Sequence, residues 1–168
     1  MAPALLAVAS RAAQARLIAL PDFARARTVA LYAPLGAEVG TELVMLAARE
    51  AGQRVCVPRV QEGALAFHAV ETLAELVPGP LGFAEPGADS LRVNLDEIDI
   101  FVVPGVAFDL AGGRLGRGGG YYDSTLRGIP RARCLGLAYE FQIVVAVPVA
   151  PHDVRMGTLV TEARTVNF

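Results

Sequence analysis

Apolar positions along the chain fall into short blocks separated by Pro, Gly and charged residues. Leu5, Leu6, Val8, Leu17, Ile18 and Leu20, with alanines between, predict a helix over about residues 4–20, ended by Pro21. "TVALYAP" (Thr28 to Pro34) is a β-rich run stopped by proline. Thr41 has the character of an N-cap for "ELVMLAARE", with Gly52 as the terminator. "RVCVPRV" from Arg54 and "ALAFHAV" from Ala64 predict two further strands, and "ETLAEL" from Glu71 a turn of helix. "PGPLGFAEPG" (Pro78 to Gly87) is too rich in Pro and Gly for either element and is expected to be a loop within the domain. "IDIFVVP" (Ile98 to Pro104) is the strongest strand signal, and "RCLGLAY" and "TLVTE" complete the set. Strands apolar on both faces that alternate with helices predict an α/β fold with a mostly parallel sheet covered on two sides. No repeat and no boundary divides residues 1–168, so one domain is expected.

Composition narrows the function. The chain has 168 residues, 54% of them hydrophobic, and a formal net charge of −2. That is enough to bury a core, and too acidic for a general nucleic-acid binder. Apolar stretches are interrupted well short of a membrane span of about 20 residues. "MAPALLAVASRAAQA" has small residues but no basic n-region, and Arg11 and Arg16 interrupt it, so a helix is expected rather than a signal peptide. Cys56 and Cys134 each sit in an apolar run with no partner at metal-ligand or redox spacing; buried thiols in a reducing cytoplasm are expected. All 15 basic residues are Arg. A catalytic lysine is therefore excluded.

The chemistry gathers in "GGRLGRGGGYYD" (Gly112 to Asp123), which follows the strongest strand. In open α/β sheets ligands bind beyond the carboxyl ends of strands. Glycines admit positive φ, and successive free N–H groups form an anion nest. "YYDSTL" is expected to open a helix whose N-terminus adds to the attraction. Arg114 and Arg117 supply forked donors suited to phosphate, and Asp123 a carboxylate suited to Mg²⁺. A GxGxxG dinucleotide fingerprint fits less well, because no acidic strand end follows about 20 residues on. Singly, each feature is ordinary: glycine runs are linkers, arginines are solvated and aspartates cap turns.

"VPGVAFDLAGGRLGRGGGYYDSTL" closely resembles the signature of the 5-formyltetrahydrofolate cyclo-ligase (methenyltetrahydrofolate synthetase) family. "LYAPLGAEVGTELV", "VCVPRV", "GFAEP" and "PHDVRMGTLVTE" extend the likeness over about residues 28–163. The resemblance implies a three-layer Rossmann-like fold of the NagB/RpiA/CoA-transferase kind. It implies ATP and Mg²⁺ as cofactors and 5-formyltetrahydrofolate, with or without a polyglutamyl tail, as substrate. A cytoplasmic monomer with no nucleic-acid or membrane partner is expected. On this likeness Arg117 and Tyr121 are catalytic. Glu38, Arg117, Gly118, Gly119, Gly120 and Tyr121 bind the folate. Arg114, Leu115, Gly116, Arg117, Gly118, Gly119, Gly120, Tyr121 and Tyr122 bind the nucleotide, with Tyr122 as readily a packing residue. Asp123 and Asp153 are the implied metal ligands; unaided, Asp153 beside His152 would be a turn residue and Glu38 a surface acid. Phe108 and Asp109 would support the loop, and Tyr139, Glu140 and Gln142 line the nucleotide side. His68 is expected to be structural. Three departures stand out. With 37 residues ahead of Glu38, the family's leading basic helix is not matched; Gly119 stands where some relatives have Lys; Gly157 stands where an acid often occurs. The first departure keeps open a relative that binds folate or nucleotide without turnover.

Overall fold

The computed structural model describes residues 3–168; Met1 and Ala2, the first two residues of the stretch weighed as a signal peptide, lie outside it. Helices α1 (Pro3–Ile18) and α2 (Pro21–Arg25) precede β1 (Thr28–Ala30) and α3 (Glu42–Glu50). Then come β2 (Arg54–Gln61), β3 (Ala64–Ala69), β4 (Val77–Pro78), β5 (Ala84–Glu85), β6 (Arg92–Val93), β7 (Ile100–Val103), β8 (Ala107–Asp109) and β9 (Arg114–Leu115). Helix α4 (Tyr121–Thr125) is followed by β10 (Cys134–Leu137), β11 (Ile143–Val144), β12 (Thr158–Val160) and β13 (Thr165–Asn167).

Eight strands form the main sheet in the order β13-β12-β10-β7-β1-β2-β3-β6. The five from β12 to β2 are parallel, with Val29 opposite Val55 on one side and Ile100 on the other. β13, β3 and β6 close the edges in antiparallel pairing. The expected mostly parallel α/β sheet is thus observed. Alternate side chains enter two cores. Val29, Val55, Val57, Ile100, Val102 and Leu135 meet Ala13, Leu17, Phe23, Val44, Met45 and Ala48 of α1 to α3. Phe67, Phe101, Val103, Phe108, Cys134 and Leu159 form the other core with Leu126 and Met156, and Tyr121 and Tyr122 of α4 pack against it. Both cysteines are free and buried.

Several elements differ from the sequence reading, each for a local reason. Pro21 does not merely end α1; it starts α2 at the helical position where a missing N–H costs nothing. The strand expected from Thr28 to Pro34 stops at Ala30. Leu31 still donates to the Cys56 carbonyl (2.9 Å), but the chain then leaves the sheet, and the Tyr32 hydroxyl donates to the Val39 carbonyl (2.7 Å). Thr41 sits at the α3 N-cap, yet its hydroxyl donates to the Tyr32 carbonyl (2.9 Å). The capping acceptor is Gln14 of α1, whose Oε1 receives the Leu43 N–H (2.8 Å). The Pro/Gly segment contains the β4–β5 hairpin, anchored by buried Glu85, which accepts the Val60 N–H (3.1 Å).

The strand order explains where a ligand can enter. From β1 the chain passes through α3 to β2 on one side; β7, on the other side of β1, leads outward to β10 and β12. Connections diverge at the β1/β7 boundary, leaving a crevice beyond the carboxyl ends of these two strands.

Candidate active site

A cavity of about 630 Å³ opens at that crevice. Tyr32 and Ala33 follow β1 into its wall, and Pro104 and Gly105 follow β7. Glu38, Arg114 to Asp123, and Asp153 all line it, so side chains far apart in sequence converge on one space. The size and the mixture of apolar walls with few polar groups suit an organic ligand.

The glycine loop forms the rim. A second, three-stranded sheet (β11-β8-β9) carries it: β9 pairs with β8, Phe108 opposite Arg114, and launches the loop over the crevice. Gly118 (φ +91°) and Gly120 (φ +66°) adopt left-handed backbone. There a side chain would be strained. Among the described residues no protein acceptor takes the N–H of Arg117, Gly118, Gly119 or Gly120. The loop therefore keeps donors without protein partners at the cavity's edge. The helix after it has only five residues, so it contributes its first-turn N–H groups rather than the dipole of a long helix.

The two arginines of the motif have different surroundings. Arg114 is buried: its Nη2 pairs with Asp123 Oδ2 (3.1 Å), its Nη1 donates to the Pro104 carbonyl (3.3 Å), and its guanidinium lies 5.6 Å from the Tyr122 ring centre. Its guanidinium is engaged by Asp123 and Pro104 at the cavity wall. Arg117 is exposed and bridges to Glu38, Nη2 to Oε1 at 3.2 Å, while Glu38 Oε2 accepts the Leu35 N–H (2.9 Å). Burial pushes the Tyr122 phenol well above its usual value, with Arg114 opposing, so Tyr122 is a neutral wall and not a base.

Asp123 and Asp153 reach the cavity from neighbouring segments, because the Val154 N–H donates to Asp123 Oδ1 (2.9 Å). Asp153 Oδ2 accepts the Ala150 N–H (2.6 Å), and its Oδ1 has only His152 Nε2 at 3.6 Å. Among the described residues no cluster of three or more His, Cys, Asp or Glu exists. A pair of carboxylates on neighbouring segments is a donor set of the kind Mg²⁺ accepts, since that ion takes one or two carboxylates and completes its shell with phosphate and water. Each aspartate keeps lone pairs for such an ion.

Supporting residues are clear in the geometry. Asp109 accepts N–H bonds from Ala111 (2.9 Å), Gly113 (2.8 Å) and Val147 (2.9 Å), and so shapes the turn that feeds β9. Gly157 lies against the backbone of Arg131, where a Cβ would come within 2.3 Å of the carbonyl oxygen; no acid can occupy this position without a backbone shift. Tyr139, Glu140 and Gln142 do not line the cavity. Glu140 pairs with Arg164 (2.7 Å), and Gln142 donates to the Gly105 carbonyl (2.8 Å) from behind the wall. His68 likewise lies elsewhere, its Nδ1 2.8 Å from the Ser90 carbonyl. Sequence reading missed Tyr32, Leu81, Phe83, Arg127 and His152, which also line the cavity. The one available signal was the presence of Leu81 and Phe83, large apolar residues, within a Pro/Gly loop.

The model of the 5-formyltetrahydrofolate cyclo-ligase family matches residues 1–162. The chain belongs to this family. It is 33% identical over 158 residues to the 5-formyltetrahydrofolate cyclo-ligase of Escherichia coli, covering 90% of this chain and 87% of that one. It is 32% identical over 147 residues to the enzyme so named in Mycolicibacterium smegmatis, covering 83% and 76%. The solution structure of Aquifex aeolicus 5,10-methenyltetrahydrofolate synthetase superposes with a TM-score of 0.84 at 32% identity, over 99% of this chain and 84% of that one. The Mycoplasma pneumoniae 5,10-methenyltetrahydrofolate synthetase, at 23% identity and a TM-score of 0.78, shares the fold over 96% of this chain and 90% of its own. Among the described residues no helix is long and apolar enough to cross a membrane.

Proposed function

We infer that this cyclo-ligase family member is an active 5-formyltetrahydrofolate cyclo-ligase, converting 5-formyltetrahydrofolate and ATP to 5,10-methenyltetrahydrofolate, ADP and phosphate. One observation supports this beyond family membership. The unpaired N–H groups of residues 117–120 border a cavity that Glu38, Arg117, Asp123 and Asp153 also line.

The chemistry asks for activation of an amide-like oxygen, which is a poor leaving group. The formyl oxygen attacks the γ-phosphorus and the bond to ADP breaks. N10 then adds to the activated formyl carbon, its N–H bond breaks with the proton passing to the phosphate group, and the C–O bond breaks to release that phosphate. Phosphoryl transfer needs positioning and charge neutralisation more than covalent help from the protein. In this reading the amides of Gly118 to Gly120 and the Arg117 guanidinium hold phosphate oxygens where negative charge gathers. Glu38 accepts hydrogen bonds from the pterin. Tyr121 and Tyr122 wall the meeting point of the two ligands and exclude water. Arg114 acts through Asp123, fixing its carboxylate. Asp123 and Asp153 would hold Mg²⁺, which when bound neutralises phosphate charge.

Purified protein given 5-formyltetrahydrofolate, MgATP and excess enzyme should develop the near-ultraviolet absorbance of methenyltetrahydrofolate. Folate binding without any absorbance change would overturn the assignment.

A further inference from the structure

Helix α1 is apolar along most of its length, yet it buries two polar side chains, Ser10 (8% exposed) and Gln14 (0%). They stand one turn apart and so share a face of the helix. A buried amide costs free energy unless its hydrogen bonds are made. Core packing does not call for one here, because Ala13 and Leu17 already seat α1 on the sheet. What the two side chains hold is the segment that follows Glu38. Ser10 Oγ accepts the Gly40 N–H (2.9 Å) and a bond from Gln14 Nε2 (3.2 Å), and Gln14 Oε1 accepts the Leu43 N–H (2.8 Å). From the other side the buried Tyr32 hydroxyl donates to the Val39 carbonyl (2.7 Å), and the buried Thr41 hydroxyl donates to the Tyr32 carbonyl (2.9 Å). Three consecutive residues after Glu38 are therefore each tied to a buried partner. Residues 31–41, between β1 and α3, contain no helix or strand, so these bonds give the segment its shape.

We propose that Ser10 and Gln14 are positioning residues for Glu38: through the backbone at Gly40 and Leu43 they hold its carboxylate where it accepts hydrogen bonds from the pterin. The proposal rests on the cyclo-ligase reading, in which Glu38 is the pterin contact. Neither side chain lines the cavity, so neither touches a ligand, and both act through the loop. Their effect is confined to the folate, because the N–H groups of residues 117–120 stand on a separate support, the β8–β9 pair. A positioned carboxylate meets its ligand without first paying the entropy of ordering the loop.

Calorimetry with 5-formyltetrahydrofolate, and separately with a non-hydrolysable MgATP analogue, tests this in Ser10→Ala, Gln14→Met and Glu38→Gln. Leu17→Val is the control, since it loosens the packing of the same helix without touching the loop. Folate affinity should fall about tenfold in Ser10→Ala and in Gln14→Met, the worth of one hydrogen bond to a charged group. The nucleotide analogue should bind both variants no more weakly than the parent, and Leu17→Val should bind both ligands as the parent does. Should Gln14→Met not fold, Ser10→Ala, which removes a single hydroxyl, decides alone. Parental folate affinity in the α1 variants, with Glu38→Gln weakened, would overturn the proposal and leave the pterin contact standing. Both ligands weakening together, or Leu17→Val losing folate to the same degree, would reduce the two residues to structural support and overturn it as well. If the parent binds no folate, or Glu38→Gln binds it like the parent, the pterin contact fails and the proposal falls with it.

Discussion

Arg117 reaches across the mouth of the cavity to Glu38, its Nη2 and Nε donating to the same carboxylate oxygen at 3.2 and 3.4 Å. The group assigned to phosphate is thereby held by the group assigned to the pterin. Either ligand must compete with a protein residue for its contact, and whatever frees Arg117 favours the nucleotide. Glu38→Gln removes the charge and keeps the shape. Calorimetry with a non-hydrolysable MgATP analogue, without folate, should show nucleotide binding about two- to fivefold tighter, since an exposed pair is worth at most about 1 kcal/mol. Folate affinity should fall in the same variant. Unchanged or weaker nucleotide binding would show that the pair does not restrain Arg117.

The two arginines of the glycine motif should fail in different ways. Arg114→Met strips a buried partner from Asp123, and removing one member of such a pair costs roughly 3 kcal/mol. Arg117→Met breaks an exposed pair and should cost less than about 1 kcal/mol, while lowering kcat/KM at least about a hundredfold through lost charge stabilisation. Urea unfolding at neutral pH reads the first effect and steady-state kinetics the second. Equal loss of stability in both variants would contradict the distinction.

That contrast also marks the limit of what the sequence discloses. Arg114 and Arg117 are the same residue type three positions apart. They differ because β9 pairs with β8 and turns Arg114 inward, and a two-residue strand is too short to announce itself by periodicity. Ile100 to Val103, in contrast, is a continuous apolar run and lies buried in the sheet as read. The glycine loop was legible because three successive glycines after such a strand are chemically unusual. The convergence of Glu38 and Asp153 on Asp123 was not a matter of pattern; it came from the family likeness, because contacts across the fold leave no local trace. Thr41 was read at the α3 N-cap and stands there, but the acceptor that serves the cap left no local trace, since Gln14 reaches it from another helix.

Acid should loosen the loop through Asp109. Burial alone would raise its pKa, but N–H bonds from Val147, Ala111 and Gly113, aided by Arg155, outweigh that and hold it below the usual value. A depressed native pKa means the stabilisation is complete above the unfolded value, about 3.9, and is lost as pH falls through the native one. Asp109→Asn should therefore cost about 2–3 kcal/mol at pH near 7, the worth of charge-assisted bonds to buried amides, and the gap to the parent should close progressively below about pH 4. Urea midpoints across that range test the sign. A gap that widened in acid would assign the stabilisation to another group.

Gly157 supplies the last test, of whether packing or charge decides which residue this position can hold. A Cβ at this position would lie 2.3 Å from the Arg131 carbonyl oxygen and 2.8 Å from the Ala132 Cα, both backbone atoms that cannot swing aside. Its N–H also donates to the Cys134 carbonyl (2.9 Å), which fixes the approach to β10. Gly157→Asp should thus destabilise by about 3 kcal/mol, as overpacking does, and should give no gain in apparent Mg²⁺ affinity. Gly157→Ala should cost nearly as much, since the first carbon already clashes. The pair of variants separates the two explanations. Charge at the metal site predicts that Asp alone changes the Mg²⁺ dependence of turnover, whereas steric exclusion predicts that Ala and Asp lower the unfolding midpoint together.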